Sequence, residues 1–166
     1  LTGGAFDVSI GTGLPSLELD GDDCVVRAAT GGVRIDLGGI GKGYAVDLMA
    51  ELLEEWGLGP ALVHGGFSSV LALEAPPHRD GWPLTLSDPC TPSRVLARLS
   101  VRQTALAASG LRKGDHIVDP RSGQPARGRR AAWVALPRPG GPGADAGTDG
   151  GPRGAAAAVT DALATA

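Results

Sequence analysis

The chain has 166 residues, with 15 Lys and Arg against 18 Asp and Glu and a formal net charge of −3. That length fits one hydrophobic core, and a slightly acidic balance with no basic face excludes nucleic acid as an obvious partner. No apolar run is long enough to span a membrane, and Cys24 and Cys90 lack any spacing motif, so two free thiols are expected rather than a zinc site or a disulfide framework.

The first informative segment is GGAFD at 3–7, glycine-rich with one acid. Short strands are expected near 5–10, 24–28 and 33–37, from apolar and β-branched runs bounded by turn residues. Val33 to Asp47, VRIDLGGIGKGYAVD, then runs through four glycines around a lysine and into a helix. Bare N–H groups and one ammonium at a helix N-terminus suit a phosphate or pyrophosphate. It is not a Walker A loop, because Gly43 stands where a magnesium-binding Ser or Thr would follow Lys42. Nor do glycines 39, 41 and 43 keep dinucleotide-fingerprint spacing. A tight strand-to-helix turn without a ligand gives the same pattern.

The helix is expected over 43–56, with Ala45, Leu48, Met49, Leu52, Leu53 and Trp56 forming one apolar stripe. Asp47, Glu51, Glu54 and Glu55 fall mostly off that stripe, on the wet side. Gly57 and Pro60 end the helix. A buried strand at 61–64 completes a βαβ-like unit, or a split version of one. Further strands are expected at 69–73, 84–86, 95–101, 104–107, 116–118 and 131–136. HIVDPRSG at 116–123 sets a titratable ring near an Asp-Pro turn. His116 can serve as a general base there, or stand as an exposed strand end whose Asp119 opens the turn.

Pro137 to Gly154 is rich in Gly, Pro and Asp and reads as a flexible loop. Alanine-rich residues 155–165 read as a helix. Asp161 and Thr165, four apart, share a face of it. They offer two hard oxygens of the kind magnesium prefers, unless Asp161 is merely solvated at a frayed end. Many short strands with few helices predict an α+β domain with a mixed, largely antiparallel sheet, one core spanning 1–166.

Four segments together, GGAFD, DLGGIGKGYAVD, HIVDPRSG and TDALATA, in this order along the chain, resemble the FAD:protein FMN transferases, the ApbE proteins. LVHGGFSSVLAL at 62–73 is similar to that family's Gly-Gly segment beside the flavin site. The resemblance implies that Ala5, Phe6, Asp7 and Lys42 contact FAD and that Ile117 lines the nucleotide. It implies Mg²⁺ held by the Gly39 carbonyl, Asp161 and Thr165, with His116 as the base or proton carrier. The implied reaction moves FMN from FAD, the substrate, onto a threonine hydroxyl of an acceptor protein and releases AMP. The alternatives are a non-catalytic flavin-binding remnant and a pyrophosphatase that splits FAD into FMN and AMP. Family members carry a lobe before the first motif and continue beyond the last, so this chain is expected to be a core piece of the enzyme. The family implies the periplasmic side of a bacterial inner membrane, although this chain shows no signal segment.

Overall fold

Hydrophobic runs alternate with turn residues along most of the chain, and the result is a small antiparallel sheet covered by two helices. The computed structural model describes residues 2–111, 114, 116–138 and 156–165. In chain order they form β1 (Leu17–Asp20), β2 (Val25–Ala28), helix α1 (Gly41–Glu55), β3 (Leu62–His64), β4 (Ser69–Ala72), β5 (Trp82–Ser87) and β6 (Val95–Val101). They continue with β7 (Thr104–Gly110), β8 (Val118–Asp119), β9 (Gln124–Pro125), β10 (Ala131–Pro137) and helix α2 (Ala156–Thr165). The central sheet has the order β10-β7-β4-β3, every pair antiparallel. Pairs β1-β2, β5-β6 and β8-β9 are separate hairpins. The α+β class read from the sequence is therefore the class observed. From residue 139 on, the loop expected over 137–154 lies outside the described residues. Among the described residues no helix is long and apolar enough to cross a membrane, and both cysteines are free and exposed.

Two expected strands are absent. Residues 5–10 form successive turns, with Ile10 N–H donating to Asp7 O and Thr12 N–H to Ser9 O. The Asp7 carboxylate accepts from the Ser9 and Gly11 N–H groups, a local competition typical of aspartate that displaces a ladder. Residues 33–37 join no ladder; the Asp36 N–H donates to Val8 O at 2.8 Å and the Arg34 N–H to Thr12 Oγ1 at 2.9 Å, which tie them to the N-terminal turns. Without a partner strand they are a lead-in to α1, and the βαβ-like reading loses its first strand.

The larger difference lies in α1. Its buried face is Gly43, Val46, Asp47 and Ala50, with Leu53 partly buried against the core. Leu48, Met49, Leu52 and Trp56 of the expected core stripe are exposed. The reason is steric. Alanine-rich α2 crosses α1 so closely that a Cβ on Gly43 would lie 2.3 Å from the Ala157 carbonyl oxygen. Only small residues fit that crossing, so the bulky stripe faces outward. Asp47, read as wet, is 2% exposed and accepts hydrogen bonds from the Ala157 and Ala158 N–H groups at 3.0 and 2.9 Å. These are first-turn donors of α2, which have no partner inside their own helix. Burial pushes the Asp47 carboxyl up, and the two N–H bonds pull it back only in part.

The core between helices and sheet consists of Val46, Ala50, Val63, Leu71, Leu73, Ala105, Ala156 and Ala157. Its small aliphatic side chains match the aromatic content of 4%. At its edge Arg138 is buried and donates to both Glu54 carboxylate oxygens.

Gly41, by contrast with Gly43, has only ordinary contact around a Cβ, with Leu37 Cβ at 3.5 Å. Gly41→Ala is therefore expected to be neutral or to stabilise by up to about 1 kcal/mol. Gly43→Ala is expected to cost about 3 kcal/mol or more by overpacking. Urea unfolding midpoints check the contrast, and equal effects would refute the close crossing. The Glu54–Arg138 pair also has a pH signature. The Arg138 hydrogen bond holds the Glu54 carboxyl below its usual 4.5, against the opposing effect of burial. Its stabilisation is thus complete above pH 4.5 and is lost as pH falls through the depressed value. The stability gap between wild type and Glu54→Gln is expected to shrink on acidification, as read from denaturation at several pH values.

Candidate active site

A cavity of about 810 Å³ opens beside the N-terminus of α1, a size usual for small-molecule and cofactor sites. Its wall comes from the turns at 5–10, the glycine loop, the β3–β4 hairpin tip, the β5–β6 end, β7, the β8 turn, β10 and α2. Ala5, Phe6, Asp7, Gly39, Lys42, His116, Ile117, Asp161 and Thr165 all border it. The structure thus brings the nine residues singled out in the sequence to one place, across more than 150 positions of chain.

Its floor is a cluster of oxygens. Asp161 is 4% exposed. Its Oδ2 accepts from the Gly43 N–H at 2.8 Å, and its Oδ1 accepts from the Ser69 hydroxyl at 2.7 Å. Lys42 Nζ stands 3.9 Å from Oδ2 and donates to the Gly38 carbonyl at 3.3 Å. One turn on, Thr165 Oγ1 donates to the Asp161 carbonyl at 2.9 Å, which leaves its lone pairs open. Gly39 lies directly against this hydroxyl. A Cβ there would meet Phe6 Cε2 at 2.6 Å and Thr165 Oγ1 at 3.2 Å, so a larger residue would have to displace the Phe6 ring. A carboxylate has about four acceptor positions, of which Asp161 uses two here. Among the described residues no three His, Cys, Asp or Glu side chains cluster as a metal site. A cation on this floor would rest on one carboxylate with neutral oxygens, a donor set that suits magnesium.

The rim is acidic. Asp7, Asp36, Asp88 and Asp161 border the cavity, and Lys42 is the lone lysine or arginine among the described residues that does. Burial pushes the Asp7 carboxyl up, but bonds from the Ser9 hydroxyl and the Ser9 and Gly11 N–H groups outweigh it and hold it below the ordinary value. The Cys90 N–H does the same for Asp88, helped by Thr91 and Arg94 against a smaller effect of burial. α1 has no side-chain cap of its own and no acid in its first turn, so its positive end points at the cavity floor uncompensated except by Asp161.

His116 is exposed, with Nδ1 3.0 Å from the Gly114 carbonyl. A proton on Nδ1 is held there, which leaves Nε2 as the acceptor. Asp119 does not orient the ring. It accepts from the Arg121 N–H, Nε and Nη2 and builds the turn. Sequence reasoning missed Ser69, Asp88, Trp133 and Phe67 at this site. Ser69 sat inside the Gly-Gly segment, but nothing in one sequence pairs a serine with a carboxylate 92 positions away.

A profile described as ApbE family matches residues 7–148. No curated protein matches the chain. Among solved structures, a flavin transferase ApbE from Vibrio cholerae superposes with a TM-score of 0.73 at 21% identity, covering 99% of this chain and 58% of that one. A flavinyl transferase ApbE from Pseudomonas stutzeri, apo form, gives 0.66 at 21%, covering 91% and 42%. A mutant of the Vibrio cholerae enzyme gives 0.67 at 22%, covering 93% and 43%. The chain thus spans about half the length of the structures it matches. With the profile running over most of its residues, the chain belongs to the ApbE family.

Proposed function

We propose that this chain is the catalytic core of an FAD:protein FMN transferase. The observation that carries the reading is the convergence of four sequence segments on one cavity whose floor joins a helix N-terminus, an ammonium and an oxygen cluster. The helix end and Lys42 suit the pyrophosphate of FAD. Ala5, Phe6, Asp7 and Ile117 suit the rest of the dinucleotide.

Phosphoryl transfer needs alignment and charge neutralisation more than covalent help. The threonine hydroxyl of an acceptor protein attacks the FMN phosphorus. The bond from that phosphorus to the bridging oxygen breaks, and AMP departs with the oxygen. The hydroxyl proton passes to Nε2 of His116, which faces the cavity from the exposed side where an acceptor chain can enter. Gly39, Asp161 and Thr165 would hold magnesium, and magnesium would neutralise charge developing on the phosphoryl oxygens. Lys42 and the positive end of the α1 dipole hold the pyrophosphate against the floor while this happens.

The test is AMP release from FAD, with and without a threonine-containing acceptor peptide. Release that depends on the acceptor supports the transferase. Release without it supports the pyrophosphatase, and none supports a binding remnant. Asp161→Ala is expected to abolish magnesium-dependent turnover, and wild-type activity at limiting magnesium would sink that assignment. His116→Asn is expected to slow transfer by about 10²–10⁴-fold with little change in FAD affinity, as read from single-turnover transfer beside equilibrium FAD titration.

A further inference from the structure

We propose that Phe67 is a stacking platform for a flat heterocycle of the bound dinucleotide; the inference rests on the FAD reading above. Phe67 is fully exposed, at 103% relative accessibility, yet it borders the cavity. It takes no part in the hydrophobic core, so packing does not account for it. The chain holds only six aromatic residues, 2 Phe, 3 Trp and 1 Tyr. Three of them, Phe6, Phe67 and Trp133, border this one cavity.

The ring is presented on a pinned tip. Phe67 sits between β3 and β4, where the Gly65 N–H donates to Ser69 O at 2.8 Å and the Ala108 N–H to Ser68 O at 2.7 Å. Gly66 supplies the left-handed residue that the turn needs, at φ 75. Ser69, two residues on, is fixed to Asp161. On the other flank, a Cβ on Gly65 would be 3.7 Å from Lys42 Cβ. The tip therefore stands beside the pyrophosphate end of the cavity, and a ring attached to that pyrophosphate through its ribose or ribityl chain can reach it. A phenyl face in water gains most from a flat π-surface. A base stacked on an aromatic side chain is worth enough to change affinity by about 5- to 100-fold on truncation to alanine.

FAD, FMN and ADP are titrated by calorimetry, with magnesium present, into the wild type, Phe67→Ala and Phe67→Trp. The side chain is exposed, so the unfolding midpoint of Phe67→Ala is expected to match wild type. Phe67→Ala is expected to weaken FAD by about 5- to 100-fold and to weaken one of the two halves to the same degree. Phe67→Trp is expected to restore both. Loss on FMN assigns the isoalloxazine to Phe67, and loss on ADP assigns the adenine. Wild-type affinity of Phe67→Ala for all three ligands would overturn the proposal while leaving the FAD reading intact. So would unchanged FAD affinity with slowed transfer to a protein acceptor, which would make Phe67 an acceptor contact. A wild type that binds neither FAD nor its halves would overturn both.

Discussion

Two buried carboxylates, each from one helix and each gripping the first turn of the other, hold this structure together. Asp47 of α1 takes the N–H groups of Ala157 and Ala158, and Asp161 of α2 takes the N–H of Gly43. Each contact solves two problems at once. A helix start leaves donors without partners, and a buried carboxylate is costly unless hydrogen-bonded. Each carboxylate also lies at the positive end of the opposite helix dipole, the favourable polarity. The exchange works only where the helices nearly touch, which is why Gly43 faces Ala157 and Ala158 with no room for a Cβ.

The same crossing builds the cavity floor. With the register of α2 on α1 fixed, Thr165 falls one turn beyond Asp161 and lands against Gly39. Ser69 of β4 joins through Asp161, which ties the sheet and the β3–β4 tip to the helices. Core and site are therefore one construction. Damage to the crossing loosens the oxygen cluster as well as the fold, whereas damage to Lys42 or His116, both exposed, touches the site alone. The crossing also sets what α1 shows outward: its large apolar residues lie on the face away from α2.

What could be read from the sequence followed how local each cause was. Helix α2, most strands and the segments that meet at the cavity were legible, because alanine runs, apolar spacing and short motifs are local signals. The buried face of α1 was not, because hydrophobicity ranks Leu48 and Leu52 above Gly43 and Ala50, while the clearance to α2 decides the matter. Asp47 reads as polar surface in any pattern argument, since its partners lie 110 and 111 residues on. Residues 33–37 have strand composition but no neighbouring strand, and a strand without a partner leaves its backbone groups unpaired. Gly41 and Gly43 look alike in the motif, and only the packing tells them apart.

The charges of the cavity carry the last step. Four carboxylates border it, and Lys42 is the lone ammonium or guanidinium among the described residues there. A site built only to attract a dianionic pyrophosphate would not be lined this way, because like charges repel most strongly where water is thin. Asp161, at 4% exposure, is the most desolvated of the four, and Asp7 and Asp88 are kept ionised by local N–H donors. The arrangement makes sense if a small cation enters with the anion and spends its charge on both. Lys42 at 3.9 Å then shares Asp161 with that cation rather than neutralising it, so the carboxylate stays available. Under the proposed transfer, a lining of this charge would favour a cation-bound pyrophosphate over the free anion.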